Sequence, residues 1–205
     1  MPTAAPLPPP ASPPSGAPAI LHTVDPRSGA PGPLTAAASI DDGRLVLATS
    51  APGAVAGQPF SPDAFRDVVV DAVVSLPRGG MDDAYGIFVR QVAERTYLAF
   101  MVTPAGQWSL LAVADGGSTP MAGGRLPVEA PFARGLGAAN RLTVVAAGPC
   151  LTCIVNGFVV GGVTVDPRYR AGIAGTLLVH LSAEPAEAAV ALHWAQVRAL
   201  LVDQV

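Results

Sequence analysis

Hydrolysis of a glycosidic bond needs two carboxyl groups across the sugar, one as acid and one as nucleophile or base. This chain has few to offer. Its glutamates are Glu94, Glu129, Glu184 and Glu187, and no segment carries a Glu-x-Asp-x-Glu arrangement. Asp67 and Asp71 stand four apart on one face of an alternating segment, where their carboxyl groups either pair or face water. His22, His180 and His193 are scattered along the chain, and no Ser or Cys stands beside one in a nucleophile motif. The chain is therefore read as having no catalytic residues.

Other motifs point to binding or to structure. Cys150 and Cys153 form the one Cys-x-x-Cys. They fall in a turn running into a strand, where the thiols point to opposite faces, and redox or zinc sites need a helix start or two more ligands. The reading is a core residue at Cys153 and a turn residue at Cys150, with a local disulfide bent around Pro149 as the alternative. Gly135–Asn140 nearly spells a dinucleotide loop but lacks its last glycine and precedes a strand. Asp82 and Asp83, after Gly79-Gly80, are candidate ligand residues that could hold calcium through carboxylate and carbonyl oxygens; alternatively they form the turn. Arg90, at a strand end, either reaches a ligand or satisfies loop carbonyls or a carboxylate such as Asp83. Trp108 could stack on a sugar ring, as could Trp194, although both lie in alternating apolar runs that suit a core.

Composition narrows the functions further. The chain of 205 residues is half hydrophobic and 13% charged, so it can bury one full core. Its net charge is −3, and all twelve basic residues are arginines. Nucleic acid is not an expected partner, and P-loop or Schiff-base chemistry lacks its lysine. No apolar run is long enough to span a membrane, and the first ten residues show no signal-peptide pattern.

The elements that position these residues are short. Eleven of the 22 prolines fall in the first 35 residues, so residues 1–39 read as an extended, polyproline-like tail or linker, or else a strap on a neighbour. From Ile40 onward, residues 40–205 alternate short apolar runs with Gly, Pro and Asp pairs at the spacing of a sandwich or barrel. Val68, Val70, Ala72, Val74 and Leu76 share one face of a strand over 66–76. Further strands are expected over 85–92, 96–103, 107–114, 141–146, 151–155, 158–165 and 172–181, with hairpins at Pro104-Ala105-Gly106 and Asn156-Gly157. The last segment, 190–200, is Ala-rich enough for a helix, but it is read as a strand with Val190, Leu192, Trp194, Gln196 and Arg198 on one face.

The order of these pieces carries a resemblance. Asp82-Asp83-Ala84-Tyr85-Gly86-Ile87-Phe88-Val89-Arg90, then Tyr97-Leu98-Ala99-Phe100, Ala139-Asn140-Arg141-Leu142-Thr143-Val144-Val145 and Val155-Asn156-Gly157 together resemble a bacterial concanavalin A-like, laminin-G-like domain. The likeness lies near the 3-keto-disaccharide hydrolase-like family and covers about residues 40–200. It implies an all-β, two-sheet antiparallel jelly roll without fixing an activity. The expected function is a non-catalytic extracellular or cell-surface recognition module for a glycan or a protein surface. The alternatives are a self-assembling filament or coat subunit and a glycoside-processing enzyme with an unusual site. No cofactor is expected beyond a possible calcium ion, and a homo-oligomer is possible.

Overall fold

The computed structural model describes residues 18–29, 33–182 and 187–200. Among them are fourteen strands and two single turns of 3-10 helix. In chain order the strands are β1 (Ile20–Val24), β2 (Ala38–Asp41), β3 (Arg44–Thr49), β4 (Val55–Pro59), β5 (Val68–Arg78), β6 (Ala84–Ala93) and β7 (Thr96–Val102). The others are β8 (Gln107–Ala114), β9 (Gly117–Arg125), β10 (Asn140–Ala147), β11 (Cys150–Val155), β12 (Phe158–Thr164), β13 (Ile173–Val179) and β14 (Ala188–Ala199). They make a two-sheet antiparallel jelly-roll sandwich. One sheet of eight strands runs β12-β11-β10-β5-β14-β3-β2, with β1 also pairing β14, and the other runs β4-β13-β6-β7-β8-β9.

Alternation decides which side chains meet between the sheets. Val68, Val70, Ala72, Val74 and Leu76 of β5 all face inward, with Leu142, Val144 and Ala146 of β10 beside them. Tyr85, Ile87 and Val89 of β6 and Leu98, Phe100 and Val102 of β7 meet them from the other sheet. Burying each valine, leucine, isoleucine or phenylalanine here is worth about 1.5–3 kcal/mol, so this layer supplies most of the drive to fold.

Two expectations need correction. The stretch expected to be tail up to residue 39 is not all tail: Ile20–Val24 pairs with β14, Ile20 opposite Arg198 and Val24 opposite Ala195, and β2 starts at Ala38. The rest of that reading, over residues 1–17, lies outside the described residues. In β14 the expected single face also breaks. The pairing with β5 shifts between Leu192 and Trp194, a bulge that adds a residue and swaps the faces beyond it. Val190 and Leu192 are buried before the shift, Ala195 and Val197 after it. Trp194 thereby leaves the expected core stripe and is half-buried on the outer side.

Gly86 sets how closely β6 and β7 approach. A Cβ there would collide with the Phe100 carbonyl oxygen and lie 2.9 Å from the Met101 Cα. Both are backbone atoms in a paired strand and cannot turn aside. Gly86→Ala is expected to cost about 1–3 kcal/mol of stability through overpacking, read as a lower urea midpoint at unchanged slope.

Candidate functional site

The outer face of the six-stranded sheet is apolar as well. Phe88 of β6, Ala99 and Met101 of β7 and Leu177 of β13 form a second buried cluster with Ala84, and Tyr97, Leu111, Ile173 and Val179 pack around it. Register puts them side by side: Phe88 pairs with Ala99 and with Gly175, and Ala99 pairs with Leu111. The Phe88 ring lies over two glycines. A Cβ on Gly175 would run into that ring, and one on Gly57 would stand 3.7 Å from it. Tyr97 leans on Phe88, with centroids 5.8 Å apart and planes at 55°. Burial raises the Tyr97 hydroxyl above its ordinary value, against an opposing pull from Arg95, so the ring stays neutral at physiological pH.

This floor belongs to a groove of about 1510 Å³. One long wall is the segment before β2, where the Thr35 N–H donates to Gln58 Oε1 at 2.8 Å and the Thr35 hydroxyl donates to the Gly57 carbonyl at 3.1 Å. Gln91, Glu94 and Arg95 border one end, and Asp82, Thr103 and Gln107 the other. Its two carboxylates, Asp82 and Glu94, flank the ten-residue β6. At about 3.3 Å per residue they stand roughly 30 Å apart.

The other sequence candidates are distributed differently. Asp83 is fully buried at the Asp82 end. Its Oδ2 accepts from the Gly80 N–H at 2.7 Å, its Oδ1 accepts from the Leu181 and Ser182 N–H groups at 2.7 and 2.8 Å, and His180 Nδ1 lies 3.1 Å from Oδ1. Burial pushes its carboxyl up, the amide and His180 hydrogen bonds push it down, and the net result lies below the ordinary value. Among the described residues no three His, Cys, Asp or Glu side chains gather as a metal cluster.

Arg90 closes the opposite end of the sandwich. Its backbone is left-handed, φ 54°, at a break in the β6–β7 register. The guanidinium is 2% exposed and donates to the carbonyls of Tyr169 (2.9 Å), Gly148 (2.7 Å) and Arg66 (3.3 Å). The nearby carboxylate is Asp67, at 4.0 Å, rather than Asp83. Trp108 borders the groove, but its ring packs toward the core, edge-on to Phe100 at 6.4 Å and against Gly161 of β12. Cys150 is exposed and Cys153 buried, both free, and burial pushes the Cys153 thiol up to about 12.

The outer face of the eight-stranded sheet holds two groupings that sequence spacing hid. Asp71, 1% exposed, is bound by Arg141, Arg198 and the Thr143 hydroxyl. His193 Nε2 lies 2.9 Å from Ser75 Oγ, a pairing across 118 residues. Desolvation, and then the charge of Arg44, lowers the His193 pKa. By residue type these are the nucleophile and base of a triad. Ser75 is 3% exposed, however, so a substrate carbonyl cannot reach its oxygen.

No protein-family profile and no curated protein matches the chain. Solved structures match its fold. The carbohydrate binding module CBM66 from Bacillus subtilis aligns over 86% of this chain and 96% of its own, with TM-score 0.54 and 13% identity. The Bacillus licheniformis β-glucanase aligns over 80% of this chain and 83% of its own, with TM-score 0.56 and 9% identity. The endo-β-1,3-glucanase of Pyrococcus furiosus covers 80% and 78%, with TM-score 0.55 and 15% identity. These likenesses establish the concanavalin A-like sandwich. A fold shared by a binding module and by hydrolases does not assign catalysis.

Proposed function

We propose that this protein is a non-catalytic recognition module that holds a glycan chain along the groove of the six-stranded sheet. The observation that carries this reading is an elongated groove with an apolar floor and carboxylates only at its two ends. Glycosidase carboxyl pairs are about 5–9.5 Å apart, whereas Asp82 and Glu94 are separated by the length of β6. Pyranose rings offer apolar faces for an aromatic ring and hydroxyl edges for polar groups. Tyr97 supplies the ring, and Gln91, Thr103, Gln107 and Ser109 supply polar contacts around the floor. Asp82 is the sequence candidate best placed to join them. The likeness to a carbohydrate binding module over nearly that module's whole length supports the same reading.

The test is an oligosaccharide array read for binding and for released reducing ends. Binding without release is expected, with Tyr97→Ala weakening it about tenfold, as loss of one stacking contact would. Reducing-end release by the intact protein, or affinity unchanged in Tyr97→Ala, would overturn the proposal.

A further inference from the structure

We infer that the outer face of the eight-stranded sheet carries a second binding site, which takes the carboxylate of an acidic sugar between Arg141 and Arg198. It lies on the opposite side of the sandwich from the groove and does not depend on what the groove binds. Register builds it. Asp71 of β5 stands opposite Thr143 of β10, while Arg141 lies at the level of Val73 and Arg198 of β14 at the level of Val69. The two arginines therefore reach Asp71 along diagonals from its two flanks, a backbone span of about 7–8 Å that long side chains close. Arg141 Nε donates to Asp71 Oδ1 at 3.1 Å, the Thr143 hydroxyl donates to the same oxygen, and Arg198 donates to Oδ2.

Three donors hold Asp71, but the formal charges do not balance. Two guanidiniums share one carboxylate, and Asp71 is the only carboxylate among the described residues that line the pocket above them. Arg198 gives Asp71 one nitrogen, and its Nε is buried with no acceptor among the described residues. A guanidinium has five N–H donors in a planar fork that matches a carboxylate, so this pair keeps donors that Asp71 does not use. The chain as a whole carries −3, so an anion held here answers this cluster and not the overall charge. The pocket has a volume of about 640 Å³, inside the range of about 300–1,000 Å³ usual for small-molecule sites. Beside the arginines its wall is apolar: Val69, Val145 and Ile154 are half-buried and adjacent, since Val145 pairs with Val69 and Ile154 with Thr143. The Thr143 oxygen, having donated its proton to Asp71, can still accept from a ligand hydroxyl. Carboxylate, C–H face and hydroxyl occur together on a sugar acid, whereas an inorganic anion would leave the apolar wall uncovered.

The experiment titrates the full chain with sodium D-glucuronate and follows isoleucine methyl and arginine Nε–H signals by NMR. Ile154 reports on this pocket and Ile173 on the groove. Saturating shifts of Ile154 and Arg198 are expected with Kd about 1 mM, as two or three charge-assisted hydrogen bonds would give, with Ile173 unmoved. D-glucose should leave Ile154 unmoved, and sodium sulfate should bind about tenfold more weakly for want of a body to cover the apolar wall. Arg141→Gln is expected to weaken glucuronate about tenfold, the loss of one charge-assisted hydrogen bond, while Arg198 and Thr143 still hold Asp71. Asp71→Asn, which removes the competing negative charge, is expected to tighten it. No saturation at Ile154, or shifts at Ile173 alone, would overturn the inference, as would unchanged affinity in Arg141→Gln. Sulfate binding as tightly as glucuronate would overturn the acidic sugar in favour of a bare oxyanion. If Arg141→Gln does not fold, the wild-type titration decides alone. Failure of neutral glycans to move Ile173 bears on the groove only and leaves this result standing.

Discussion

Arg90→Met is expected to lower the stability of the fold by about 3–5 kcal/mol, the range for removing one member of a buried charged network. Methionine fills much of the volume but donates nothing to the carbonyls of Tyr169, Gly148 and Arg66. The Tyr169 bond is buried, so no water replaces it, while the other two are partly exposed and recover some solvation. Arg90→Lys is expected to regain only part of the loss, because one ammonium does not reproduce a planar fork of donors. Urea unfolding of the three proteins checks this, and a loss below about 1 kcal/mol in Arg90→Met would show that the guanidinium is not the clamp at this end.

Asp83→Ala is expected to be comparably damaging, again about 3–5 kcal/mol, since three amide N–H groups and His180 lose their common acceptor in a buried site. Asp83→Asn keeps one acceptor oxygen and should fall between. The pH dependence provides a separate check. Folding lowers this carboxyl below its ordinary value, so the unfolded chain takes up the proton first. The stabilisation is complete above the unfolded value of about 3.9 and is lost as pH falls through the lower folded value. The stability gap between wild type and Asp83→Asn should be widest near neutrality and shrink below about pH 4. A gap that stays constant into acid would mean that the carboxylate's charge contributes nothing here.

Much of the sandwich was legible because its strands announce themselves locally. β5 puts a valine, alanine or leucine at every second position from Val68 to Leu76, and the chain folds with all five inside. What local pattern could not carry is the behaviour of a strand that depends on partners. The alternation of β14 reads straight through His193, and only its pairing to β5 introduces the bulge that turns Trp194 outward. β1 hides among prolines because its strand character comes from β14, more than 170 residues away. Asp83 looked like a rim ligand because its acceptor role depends on residues 97 to 99 positions downstream.

The groove left a trace in the sequence. Phe88 in β6, and Tyr97, Ala99 and Met101 in β7, occupy the alternate positions where a half-solvated strand would carry polar residues. Apolar residues on both faces mark a strand that does not give its second face to bulk water. That these positions form a floor still required Leu111 and Leu177, which arrive from other strands.

The pairing of β1 with β14 also settles how the domain would answer to tension. The two strands are antiparallel, and Ile20, near the start of one, faces Arg198, near the end of the other. A force pulling on the polypeptide from both sides would act at the same extremity of this pair. It would load the bonds between the strands singly, as in opening a zipper, rather than shearing all of them at once. Resistance to stretching is then set by one inter-strand rung at a time, and β1 peels away while the sandwich behind it is still intact.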